Sequence, residues 1–94
     1  MANYEFMGII NPKLSEEDRN KTIDNLKSIF EKYSAKITKE DIWAERKLAY
    51  KINWSDTGYY VLYELELDWK NIKDISKEIN LDRNIWRYMF TKID

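Results

Sequence analysis

The sequence predicts an α+β fold: a four-stranded antiparallel sheet with two helices on one face, in the order β-α-β-β-α-β. Three observations predict it. Two stretches repeat apolar residues at spacings of three and four, namely Ile23, Leu26, Phe30, Tyr33 and Ile72, Ile75, Ile79. Between them, Tyr59 to Leu67 alternates, with Tyr59, Val61, Tyr63, Leu65 and Leu67 set against Tyr60, Leu62, Glu64 and Glu66. Runs rich in β-branched and aromatic residues open and close the chain. A length of 94 residues with 44% apolar content fits one small domain over residues 1–94, with a core of modest size.

The elements follow in order. Tyr4 to Ile10 is a strand closed by Asn11-Pro12, because Pro12 has no N–H to give to a ladder. Ser15 suits a helix N-cap, and Glu16, Glu17 and Asp18 suit the positive end of the dipole of a helix from about Glu16 to Tyr33. Lys36 to Ile52 is a long extended stretch, and the turn-forming run from Asn53 to Gly58 leads into the alternating strand. Asp68 caps the second helix, and Ile85 to Ile93 is the last strand. This is the split βαβ, or ferredoxin-like, arrangement. Right-handed crossovers place both helices on one side of the sheet.

A two-residue period assigns the faces. Phe6, Gly8, Ile10, Leu48, Tyr50, Val61, Tyr63, Leu65, Trp86, Tyr88 and Phe90 are expected to face the helices, with Gly8 letting a large ring approach the backbone. The open face then carries Glu5, Met7, Ile9, Lys47, Ala49, Lys51, Tyr60, Leu62, Glu64, Arg87, Met89 and Thr91. Met7, Ile9, Tyr60, Leu62 and Met89 make an apolar centre rimmed by charge, which is a partner-binding pattern. The abundance of aromatics (four Trp, seven Tyr, three Phe) is read as dense packing of a small core.

The missing chemistry excludes much. With no Cys and no His, thiolate or imidazole metal sites, Cys nucleophiles and His general bases are impossible. Glu16-Glu17-Asp18 is a helix-dipole feature rather than a metal cluster, since adjacent helical positions diverge around the axis. Glu64 and Glu66 share a flat strand face with no cleft. The loop Asn11-Pro12-Lys13-Leu14-Ser15 has neither the Arg nor the glycines that a small phosphatase of this fold would need. No P-loop or dinucleotide fingerprint occurs, so neither catalysis nor a cofactor is expected. Without a stretch able to span a bilayer or a signal peptide, the chain reads as cytoplasmic.

A net charge of −1 conceals segregation. Ser15 to Glu31 holds five acids against three bases, whereas Arg46 to Trp54 (Arg46, Lys47, Lys51) and Arg83 to Ile93 (Arg83, Arg87, Lys92) hold bases and no acid. If the two basic stretches lie side by side, a near-neutral chain still offers a phosphate-binding surface. Tyr60 is the candidate for base stacking, but the glycine- and aromatic-rich signature of general single-strand binders is absent.

One segment is distinctive. Trp43-Ala44-Glu45-Arg46-Lys47-Leu48-Ala49-Tyr50-Lys51-Ile52 resembles the second-strand signature of the bacterial small-subunit ribosomal protein six family. That signature has an aromatic or apolar residue, Gly, basic residues and then Leu-Ala-Tyr-Pro-Ile. Tyr4-Glu5, Asn11-Pro12, Gly58-Tyr59 and Arg87-Tyr88-Met89 fall where the family has like residues, so the resemblance spans the chain. Ala44 stands where the family usually has Gly, so a bulge or bend there is expected to be built differently. Lys51 replaces the motif's Pro, and Glu45 sets an acid beside the basic pair.

The resemblance implies a non-catalytic ribosomal protein that binds the central domain of small-subunit ribosomal RNA jointly with small-subunit protein eighteen. Carried over by position, Arg46 and Lys47 match the motif's basic pair, and Arg87 and Lys92 match bases near the end of the fourth strand. With Lys51, from the acid-free basic stretch, they are the candidate RNA contacts. Met7, Ile9, Tyr60, Leu62 and Met89 are the candidate protein contacts, while Leu48 and Tyr50 are read as core. The competing expectation is a ferredoxin-like module that self-associates through a sheet face or edge without RNA.

Overall fold

The computed structural model describes residues 2–93. Strand β1 (Ala2–Ile10), helix α1 (Glu16–Lys32), strands β2 (Lys36–Ile52) and β3 (Ser55–Leu67), helix α2 (Ile72–Ile79) and strand β4 (Ile85–Lys92) follow in the expected order. Every pairing in the sheet is antiparallel, and the strand order is β2-β3-β1-β4. The expected ferredoxin-like fold is therefore the observed one. Among the described residues, no helix is long and apolar enough to cross a membrane.

Local chemistry sets the element ends. The Asp18 backbone N–H donates to Ser15 Oγ at 3.2 Å, the expected N-cap of α1. Asp68 caps a single 3-10 turn, Trp69–Asn71, by accepting from the Lys70 N–H at 3.1 Å, and α2 begins only at Ile72. The expected six-residue turn after β2 is tighter in the structure. Only Asn53 and Trp54 lie between the paired Ile52 and Ser55, and both have positive φ, 49° and 63°. Such a pair follows the twist of a two-residue hairpin, so β3 starts four residues earlier than the alternation alone implies.

The core lies between the sheet and the helices. Tyr4, Phe6, Ile10, Val61, Tyr63, Leu65 and Leu67 from the sheet meet Ile23, Leu26, Ile29, Phe30, Ile75 and Ile79 from the helices. Phe6 is fully buried and meets Phe30 edge-on at 5.1 Å, Phe90 edge-on at 5.1 Å and Tyr88 in a stack at 5.9 Å. A Cβ on Gly8 would come within 3.0 Å of the Phe6 ring, so this glycine does admit the large ring expected beside it. The aromatic content is only partly a core feature, however. None of the four Trp is buried, and Trp54 is 91% exposed.

The face assignment fails along β2. Its register against β3 shifts between Ile37 and Lys39, between Ile42 and Ala44, and between Lys47 and Ile52. Each shift disturbs the alternation, so counting by twos from one end misplaces the residues beyond it. Tyr50, expected under the helices, is 72% exposed. Leu48 is buried as expected, but on the opposite face, where its side chain lies over Gly58.

Candidate RNA and protein interface

The open face of the sheet is graded in character along the strands. At one end Glu64 stands directly opposite Glu5, and Glu66 opposite Asn3. Lys39 meets Glu64 at 3.6 Å, partly relieving the like-charge pair. In the middle, Met7 stands between Leu62 on β3 and Met89 on β4, and Ile9 stands between Tyr60 and Arg87. At the far end, Leu48 and Ile9 both close over Gly58.

These middle and far residues enclose a groove of about 290 Å³ lined by apolar residues of β1, the end of β2, β3 and β4. Of the five candidate protein contacts, Met7, Ile9, Tyr60 and Met89 line it. Leu62 shares the face but is only 7% exposed, so it has little area to offer. Leu48, Ala49, Tyr50 and Ile52 extend the groove along the hairpin, and Arg87 forms part of its wall. Sequence reasoning had Tyr50 in the core because it ignored the third register shift.

The basic candidates divide, and the two basic stretches do not lie side by side: β2 and β4 are the opposite edge strands, with β3 and β1 between them. Arg87 is paired with Ile9 at the groove, and its Nη1 donates to the Trp86 carbonyl at 3.2 Å. Arg46 is opposite Gly58 and Lys47 opposite Thr57, and with Trp43 and Tyr60 they line a second depression of about 460 Å³. Lys51 is exposed on the segment between Tyr50 and Ile52. Lys92 is elsewhere: it pairs with Tyr4 at the acidic end, roughly 17 Å along β4 from Arg87 by the strand rise. Among the described residues, none of these five cations forms an ion pair. Glu45, the acid beside the basic pair, accepts from the Thr57 hydroxyl at 2.7 Å on the strand opposite.

Trp43 was the residue missed as a site candidate. The register shift leaves it as the extra residue opposite Tyr60, and its ring stacks on Tyr60 at 6.3 Å with an angle of 21° between planes. The turn that permits this lies at Ala44, whose φ is 65°. A left-handed conformation suits glycine and is strained for alanine. The bulge is thus retained without the glycine, and that replacement was its legible signal.

The profile described as Ribosomal protein S6 matches residues 3–92 of the chain. The chain belongs to the ribosomal protein S6 family. It is 35% identical to the small ribosomal subunit protein bS6 of Fusobacterium nucleatum over 94 residues, covering 100% of both chains. It is likewise 35% identical to that of Thermoanaerobacter pseudethanolicus, covering 100% of this chain and 99% of that protein. The crystal structure of 30S ribosomal protein S6 from Thermotoga maritima superposes with a TM-score of 0.91 at 28% identity, covering 98% of this chain and 87% of that one. The C-terminal domain of MgtC from Mycobacterium tuberculosis, covering 99% of this chain and 88% of that one, shares the fold alone, with a TM-score of 0.64 at 7% identity. Membership of the S6 family makes the chain a structural, non-enzymatic ribosomal protein.

Proposed function

We propose that this chain binds small-subunit ribosomal RNA, within its central domain, jointly with small-subunit protein eighteen, and acts in the cytoplasm as part of the small subunit. The observation that carries the reading is the apolar groove of the open face, walled by Arg87 and neighboured by the unpaired Arg46 and Lys47. Met7, Ile9, Tyr60 and Met89, with Leu48 and Tyr50, take the protein partner. The acidic end of the same face, with Glu5, Glu64 and Glu66, complements a basic partner.

Arg46, Lys47, Lys51 and Arg87 meet phosphate at the other end, so protein and RNA approach one face from adjoining directions. Lys92 reaches RNA only at a separate point. A chain of net charge −1 neutralises few phosphates alone, so its affinity for RNA depends on the partner's bases.

The test is RNA binding by this chain with and without the partner across a salt series. The expected result is weak binding alone, tighter binding together, and a shallower salt slope for Lys47→Glu and Arg87→Glu. Unchanged affinity and slope in those variants would remove the residue assignment. A stable homo-oligomer without salt-sensitive RNA binding would favour the self-associating module instead.

A further inference from the structure

We infer that Trp43, Tyr60, Arg46 and Lys47 form a platform for one unpaired nucleotide of an RNA strand, with the base stacked on the indole and the phosphate against the two cations. This rests on the RNA-binding reading and adds to it a stacking subsite outside the apolar groove.

Four observations converge on it. The four residues line one open depression on the sheet surface, so an aromatic face and two cations are presented together. Its aromatic floor is preorganised: Trp43 stacks on Tyr60, and the Trp43 indole N–H donates to Asp41 Oδ2 at 2.9 Å. Trp43 still leaves 37% of its surface exposed for a base. Arg46 Nε donates to the Trp43 carbonyl at 3.0 Å, which holds the guanidinium to the Trp43 backbone and leaves its terminal nitrogens for a phosphate.

Among the described residues, the local acids form no ion pair with these cations. Asp41 is engaged by the indole, and Glu45 by Thr57. The strained Ala44 turn, φ 65°, is what brings Trp43 onto the Tyr60 side of the strand.

Chemistry chooses between RNA and protein here. Trp, Tyr and Arg also suit protein interfaces, where Lys is depleted. The choice therefore rests on Lys47 and on the pairing of an aromatic face with two cations outside any ion pair, which matches the alternation of base and phosphate along a single strand. Tyr60 also lines the apolar groove, so it forms the wall shared by the two sites.

The experiment titrates the full chain with a single-stranded uridine hexamer at low salt, following the four indole N–H resonances by NMR. The Trp43 resonance is expected to shift saturably, while that of Trp69, exposed at the turn before α2, stays in place. Trp43→Ala should weaken binding at least about fivefold, Trp43→Phe should retain most of it, and Arg46→Gln should flatten the salt slope by about one. Should Trp43→Ala fail to fold, as a melting curve would reveal, the resonance shift and the Phe variant still decide.

A silent Trp43 resonance, or wild-type affinity in the Ala variant, overturns the platform. If Lys47→Glu and Arg87→Glu weaken RNA binding in that same case, the RNA-binding reading survives without the platform. If no RNA binds even with the partner present, that reading falls too. A Trp43 resonance that moves with the protein partner and not with the hexamer assigns the site to protein and equally overturns the proposal.

Discussion

Gly58 lies directly beneath Ile9: a Cβ built on the glycine would collide with Ile9 Cγ2, and would also meet Leu48 Cδ2 at 3.2 Å. One missing side chain therefore lets the Ile9 and Leu48 side chains close over β3, where both line the apolar groove. Gly58→Ala is expected to destabilise the chain by about 1–3 kcal/mol, as overpacking in a buried site does. Urea unfolding measures it. A midpoint equal to that of the wild type would mean that Ile9 moves freely, and that the groove is not held in this shape.

Ala44 gives the opposite expectation. Its φ of 65° strains an alanine, and nothing but hydrogen is needed on that Cα to keep the bulge. Ala44→Gly should stabilise by about 0.5–1 kcal/mol, the relief of strain exceeding the glycine's added unfolded-state entropy. Ala44→Val should destabilise, because a β-branched residue tolerates positive φ less well. Melting temperatures of the pair check the sign, and a lower value for Ala44→Gly would show that the strain is not local to this residue.

Trp54 combines a positive φ of 63° with 91% exposure, so its ring gains almost nothing from folding. Trp54→Gly produces the Asn-Gly pair that two-residue hairpins favour. The expected outcome is a rise in stability of about 0.5–1 kcal/mol with the fold intact. A loss would mean that the exposed indole itself stabilises the hairpin.

Glu40 ties α1 to the buried end of β3. Lys27 Nζ lies 2.6 Å from its carboxylate, and the Tyr63 hydroxyl donates to it at 2.8 Å. The Lys27 hydrogen bond is the main reason its pKa is held below the ordinary 4.5; partial burial opposes this and Tyr63 assists. Burial above all, and then Glu40, pushes the Tyr63 hydroxyl upward, so it stays protonated as the donor. The stabilisation from Glu40 is complete above its unfolded-state pKa and is lost as pH falls through that value towards the depressed folded one. Glu40→Gln should therefore show a smaller drop in urea midpoint between about pH 5 and pH 3 than the wild type. Equal drops in the two proteins would place the acid sensitivity elsewhere.

Much of this molecule was legible locally. Ser15 with Glu16, Glu17 and Asp18 specifies the start of α1 through its own hydrogen bond and dipole. The alternation from Tyr59 to Leu67 specifies which side of β3 is buried, since that strand is paired on both edges and keeps step with β1 throughout. The residues of the motif around Leu48-Ala49-Tyr50 led to the correct family. The site was legible in composition and not in arrangement. Arg46, Lys47 and Arg87 come to one end of the sheet, but Lys92 does not, because strand pairing carries it to the other.

Sequence by itself determined the element order, the N-cap of α1, the buried side of β1 and β3 and the absence of thiol or imidazole chemistry. Each of these depends on a residue's own side chain or on neighbours within one turn or strand. Apart from the bend at Ala44, which the motif signalled, tertiary structure decided where β2 slips against β3. A bulge is set by the balance between ladder bonds and packing across strands, and no single residue type encodes that balance. Those slips put Trp43 on Tyr60, bring Leu48 over Gly58 and leave Tyr50 in solvent. They are what turn a patterned strand into a groove and an aromatic platform.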